Sequence, residues 1–468
     1  MRPTRPTRRI EPVRRWLGRP VLRWQTTAVV ALSGLLYVGL VQFLGGFQSG
    51  DASETIYPAV LMAHGQWSCA YPASNPFPVP MAGPGFSLLS AALQWVLRLG
   101  FNHPFPPHGP FGKTCAHAAS ALAHWEVASG TMASLLHTSL AAWLALVLAG
   151  LFVIRQTPLG RTRQEWLVPL ALSATPPVLM AVQEYFHPQD QLALALALFA
   201  LGLWLRQRYE MAGVLFALAF ITQQYTSLAI VIFVVLAGGR ERRRLLGGFV
   251  TALGGLLALL GTVMGPHVVT AALLGIGRGR IHIGTLMYEV HVPELLALVI
   301  ARALPLVAVA LFGAWHSRRH ANLAYNAEYL LGLIAVGWTV RLVLEINLFG
   351  YYMLATGATL VLRDIVAQRA FRGTIWLLVV TMVIFGHVQV WQVLWFTRPT
   401  WLCQLILSPA AMGVALYSLH QTVTRLRTSA TLSTMPDGGP TTARGSHARR
   451  SRAMTRHETR WRGASTSS

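Results

Sequence analysis

Few residues in this chain are suited to acid–base chemistry. There are four aspartates, Asp51, Asp190, Asp364 and Asp437. Asp51 stands in Gly50-Asp51-Ala52-Ser53-Glu54-Thr55-Ile56-Tyr57-Pro58, and Asp190 in Glu184-Tyr185-Phe186-His187-Pro188-Gln189-Asp190-Gln191. Each adjoins a long apolar run and hence a membrane–water boundary. A carboxylate held there beside a substrate hydroxyl can act as a general base. The same residues also serve structure. Aspartate caps helices, so Asp51 can open a helix over 52–63 with Glu54 as its capping-box partner. Residues 184–191 read equally as a tight polar turn stopped by Pro188. Glu184, His187 and Asp190 are spaced by three, as on one helical face, so a divalent cation is an option. Pro188 interrupts that face, and no HExxH-type pattern accompanies it.

The elements that position these residues follow from composition. Of 468 residues, 54% are hydrophobic and only 12% charged, yet the formal charge is +22 and the mean hydropathy +0.48. A soluble domain carries about 25% charged residues, and a disordered chain is poor in apolar ones. Basicity without a polar surface also argues against a nucleic-acid partner. The expectation is an all-α, polytopic transmembrane bundle. About ten apolar runs approach the ~20 residues a crossing helix needs: roughly 26–47, 131–154, 166–184, 191–205, 245–265, 294–314, 327–346, 350–366, 374–396 and 400–420. They are continuous rather than alternating, which excludes barrel strands.

Arginine sets the orientation. Residues 1–23 hold eight arginines, so the N-terminus is expected inside and the first run is read as a retained span. The loops with Arg155/Arg161/Arg163, Arg206/Arg208, Arg240/Arg242/Arg243/Arg244, Arg318/Arg319 and Arg363/Arg369/Arg372 are expected inside as well. By this topology the inner face carries 31 bases and eight acids, and the outer face seven bases and eight acids. The parts are a basic cytoplasmic segment 1–25, a plasma-membrane domain 26–420, and a disordered basic cytoplasmic tail 421–468. Contact with anionic membrane lipid accompanies such a charge distribution.

Residues 211–238 lie between two arginine clusters that both belong inside. Their polar centre is Thr222-Gln223-Gln224-Tyr225. This predicts either a re-entrant helix pair or two short spans, and Gln223, Gln224 and Tyr225 serve an interhelical hydrogen-bond role as readily as a substrate contact. The long outer loops are 48–130 and 266–293. Within the first, 84–99 is apolar but short, as for a helix lying on the outer face. Cys69 and Cys115 share that loop, which leaves a disulfide and two free thiols both open. Arg341 and Glu345, four apart, suit an intrahelical ion pair.

The first loop, with Asp51, Tyr57, the small residues from Ala59 to Ala63, Gly65 and Tyr71-Pro72, resembles the start of GT-C class membrane glycosyltransferases. It is most similar to the polyprenyl-phosphate-dependent mannosyltransferases of actinobacteria. A second similar block covers about 176–244, with Pro176-Pro177, a Gln-containing turn, a span, an arginine pair, Ala212-Gly213 and a short helix with a polar tip. The family's turn is commonly Gly-Gln-x-Asn, here His187-Pro188-Gln189-Asp190. Its tip commonly carries a lysine, where this chain has Gln223 or Gln224. The resemblance implies inverting transfer of mannose or a similar sugar from a polyprenyl-phosphate donor to a cell-envelope glycan or glycolipid. Asp51 would be the base, with Glu54, Tyr57, His187, Gln189, Asp190, Gln223 and Gln224 around the substrates. The leaving phosphate needs fixed positive groups. Arg278, Arg280 and His282, in the glycine-spaced run 275–282, fit that need, and His291, Arg302 and Arg341 would add to it if they face the cavity. A transporter or flippase for a lipid-linked intermediate and a non-catalytic scaffold are the rival classes.

Overall fold

The computed structural model of the chain describes residues 24–43, 51–71, 82–101, 114–115, 129–157, 163–183, 186–274, 285–345, 350–368, 372–385 and 400–434. No strand occurs among the described residues. The chain divides into two units, Met1–His420 and Gln421–Ser468. The first is a helical bundle. Its helices are α1 (Trp24–Phe43), α2 (Asp51–Ala63), α3 (Pro84–Phe101), α4 (Ser129–Ile154), α5 (Leu167–Ser173), α6 (Pro176–Gln183), α7 (Pro188–Leu205), α8 (Tyr209–Thr222), α9 (Ser227–Leu236), α10 (Gly239–Met264), α11 (Pro266–Leu274), α12 (Leu286–Glu289), α13 (Glu294–Arg319), α14 (Ala327–Leu344), α15 (Leu354–Ala367), α16 (Arg372–Phe385) and α17 (Thr400–Thr434). The last turns of α17, from Gln421, belong to the second unit.

Six of the described helices (α1, α4, α7, α10, α13 and α14) are long and apolar enough to cross a membrane. These helices mark a membrane-embedded protein. They sort by burial. α7 and α14 are largely buried, whereas α10 and α13 expose most of their apolar surface. In water such surfaces would be costly, but acyl chains solvate them. The inner helices therefore make the core, with α7 packed between α4, α8 and α15.

Two apolar segments depart from expectation, one in its continuity and one in its packing. Residues 166–184 break at Ala174–Thr175 into α5 and α6. Pro176 and Pro177 supply no N–H groups to the preceding turn, so the helix restarts there. Residues 84–99 form α3 as expected, but it packs on α2 and α8 rather than lying free on a face. Its buried side is Phe86, Ser90 and Gln94, one residue per helical turn.

The polar-centred segment folds as a helix pair. α8 ends at Thr222, Gln223 is extended, Gln224–Thr226 form a single 3-10 turn, and α9 follows. One side of the pair is closed by α10, which crosses α8 at two glycines. A Cβ on Gly213 would lie 2.1 Å from the Leu245 carbonyl oxygen, and one on Gly248 2.2 Å from that of Glu210. Only glycine permits this backbone contact.

Candidate functional site

The site begins at the turn before α7. Phe186 is buried with a positive φ of 49°. That conformation is costly for an aromatic residue, and it redirects the chain so that His187 can serve as the N-cap of α7. Pro188 then occupies the first turn, where its missing N–H costs nothing. Asp190 sits in the same turn, where the helix dipole favours a carboxylate.

His187, Gln189 and Asp190 are all buried. Gln189 Nε2 donates to His187 Nδ1 at 2.7 Å. An amide nitrogen can only donate, so with this assignment Nδ1 is the accepting nitrogen. It then has no hydrogen to offer Asp190 Oδ2, which lies 3.4 Å away. Asp190 Oδ2 and Gln189 Oε1 are left without hydrogen-bond partners. In a buried setting such atoms are costly and signal a missing donor.

The tip of the helix pair closes over this turn. The Tyr225 hydroxyl donates to the Asp190 carbonyl at 2.8 Å. The tip is held from the other side by the segment before α3. A Cβ on Gly83 would lie 2.4 Å from the Ile221 carbonyl, so the start of α3 abuts the carbonyl end of α8. Tyr71 fixes that approach. Its hydroxyl donates to the Ala82 carbonyl at 2.8 Å and pairs with Ser87 Oγ at 2.7 Å. Burial pushes the Tyr71 phenol well above its ordinary range, so it stays a donor. Cys69, two residues earlier, is bonded to Cys115 with the Cα atoms 5.2 Å apart.

The third wall is the end of α14. Arg341 donates from Nε to Glu345, the intrahelical pair expected from their spacing. Its guanidinium lies over two rings, Tyr225 at 5.4 Å and Tyr352 at 4.8 Å. Trp338, one turn earlier, meets the Tyr225 ring edge-to-face at 6.0 Å, and its buried Nε1 has no acceptor. Sequence reasoning missed Trp338 and Tyr352. The signal was the spacing of Trp338, Arg341 and Glu345 along one face of α14, which marks Trp338 as a neighbour of the ion pair.

The structure therefore joins His187, Gln189, Asp190, Tyr225 and Arg341 at one end of the bundle. Gln224 turns away. Its Nε2 donates to the Ala271 and Ala272 carbonyls, at 3.1 and 2.9 Å, near the end of α11. Gln223 is half-buried at the end of α8. Tyr57 is buried within α2. Asp51 and Glu54 lie in the first turn of α2, but their side chains lie outside the described residues. Arg278, Arg280, His282 and Glu184 also lie outside them. His291 is exposed after α12, and Arg302 is exposed on α13. Among the described residues, no three His, Cys, Asp or Glu side chains gather as a metal cluster.

Chemically, the site offers an underbonded carboxylate, a guanidinium whose charge is offset by Glu345, and aromatic faces. Such a set can take a proton from a hydroxyl and hold a polar, partly apolar ring such as a sugar. No family model matches the chain, and no curated protein is significantly similar to it.

Proposed function

We propose that this chain is a membrane glycosyltransferase that moves a sugar, mannose or similar, from a polyprenyl-phosphate donor to a cell-envelope glycan or glycolipid at the outer face. The observation that carries the reading is Asp190. It is buried, lacks a hydrogen donor at Oδ2, and lies within the same cluster as Tyr225 and Arg341. The resemblance of the first loop to the GT-C class adds Asp51 as the base that accepts the acceptor hydroxyl's proton. In this reading Asp190 and His187 line the acceptor side, and Arg341 is the described arginine within the cluster that can serve the leaving phosphate. The Cys69–Cys115 disulfide supports an outward orientation of this end, because disulfides persist in oxidising compartments. Tyr71, Gly83 and Tyr225 link that disulfide to Asp190 through successive contacts.

The test uses membranes containing the full chain and a labelled polyprenyl-phosphate sugar. Asp51→Asn and Asp190→Asn are each compared with wild type at equal protein level. Asp51→Asn removes the base and is expected to lower the rate by about 100-fold or more, and Asp190→Asn, which removes an acceptor-side contact, is expected to lower it as well. Transfer by both variants at the wild-type rate sinks the reading. A transporter for a lipid-linked intermediate is favoured by one observation, the fully buried Arg363 between Glu328 and Asp364, since ionisable groups inside bundles mark ion and substrate paths. Translocation of the labelled lipid in proteoliposomes, without sugar transfer, would select that class instead.

A further inference from the structure

α13 carries one ionisable residue, Arg302, in the stretch from Leu295 to Trp315. The buried face of the helix is Ala297, Ala301, Pro305 and Val309, which packs towards α14 and the Met287 region. Arg302 lies off that face and is exposed. Around it Leu295, Val299, Leu304, Val307 and Leu311 are exposed too. Among the described residues no carboxylate, carbonyl or ring is paired with it. It therefore faces outward from the bundle, not into the site.

Its depth follows from helix geometry. Arg302 is eight residues from Glu294, about 12 Å along the axis, and thirteen from Trp315, about 20 Å. Together these distances match a hydrocarbon core of about 30 Å. Trp315, with Arg319 stacked on its ring at 4.3 Å, suits the far interface. Arg302 thus lies well inside the apolar layer. Helical side chains lean towards the N-terminus, which here is the nearer surface, so a guanidinium at this position can snorkel towards the Glu294 end and cover part of the distance. Glu294 is two turns away and out of reach. A charge held there needs a counter-charge brought to it.

We propose that Arg302 binds the phosphate of a glycerophospholipid, drawn down beside α13 from the leaflet at the Glu294 end. Two features favour a lipid over a protein partner. Apart from Ala303, the exposed neighbours are large branched side chains, which suit acyl chains. Helix–helix contacts in membranes use small residues instead. The guanidinium presents several N–H donors to the phosphate oxygens. The proposal stands whether or not the chain transfers sugar.

Native mass spectrometry of the detergent-purified full chain, titrated with phosphatidylglycerol, tests it. Wild type is expected to retain one more phospholipid per chain than Arg302→Leu, with affinity higher by on the order of tenfold, as for a hydrogen bond to a charged group. Arg302→Lys should fall between them. Thermal unfolding of Arg302→Leu should match wild type, since leucine suits a lipid-facing position. Equal retention by wild type and Arg302→Leu overturns the proposal. So does a dimer that dissociates only in Arg302→Leu, which would identify a protein partner. Retention of polyprenyl monophosphate but not phosphatidylglycerol, or displacement by inorganic phosphate alone, overturns it as well.

Discussion

Asp190 and Arg363 show how differently buried charge is handled at two places in one bundle. Asp190 keeps an oxygen without a donor, whereas Arg363 is fully used. Arg363 Nη1 meets Asp364 at 2.7 Å, Nη2 donates to the Ser418 carbonyl at 2.7 Å, and Glu328 lies 3.5 Å away. Thr374 donates to the other Asp364 oxygen at 2.6 Å. The network ties α14, α15, α16 and α17 together. Removing the cation strands two buried carboxylates. Arg363→Met is therefore expected to lower stability by about 3–5 kcal/mol, read as thermal unfolding in detergent. Adding Glu328→Gln and Asp364→Asn should recover part of the loss. A single variant that melts like wild type would show that the network contributes nothing. At this scale the sequence was partly legible. The Arg341–Glu345 pair follows from a spacing of four, and the polar turn at 187–190 from its residue types. The stacking of Arg341 on Tyr225 and Tyr352 is not local, and no spacing encodes it.

Among the elements, the helix pair α8–α9 decides where the site lies. Its tip reaches the first turn of α7 because α8 is fixed against α10 by backbone contact at Gly213 and Gly248. Gly248→Leu would drive a side chain into the Glu210 carbonyl, 2.2 Å from the first added carbon. The two helices would have to part, and Tyr225 would move off Asp190. The expected result is a loss of about 1–3 kcal/mol from overpacking together with reduced function. Gly247, one residue away and open to space, is the control, and Gly247→Leu should behave like wild type. Equal behaviour of both variants would mean that the crossing does not position the tip. Sequence reading foresaw two short helices with a polar tip here, as well as a helix over 84–99. It did not foresee the break at Ala174–Thr175, although the proline pair was visible. Proline signals a helix start as well as a kink, and packing chooses between them.

For the whole molecule, charge and redox chemistry point the same way. Exposed arginines gather where α7, α9 and α13 end and α8 and α10 begin: Arg206, Arg208, Arg240, Arg242, Arg243, Arg318 and Arg319. The other end holds the disulfide and Asp190. Opposite labelling is expected for Glu289→Cys and Arg319→Cys, both exposed positions, in a Cys403→Ala background. A membrane-impermeant thiol reagent added to intact cells should modify the first only. Modification of both from the same side would overturn the orientation.

The sequence by itself determined that the chain is helical and membrane-embedded, because apolar run length and the scarcity of charge are local properties that no packing can reverse. It also determined which short polar segments interrupt the apolar runs. Only the tertiary structure decided which of those segments meet. Tyr225 reaches Asp190, and Gln224 beside it turns instead to α11, although the two are neighbours in the same polar tip. Their direction depends on the backbone approach of α3 and α10 to α8. That approach is a steric fit between distant glycines and carbonyls, and hydrophobic periodicity carries no information about it.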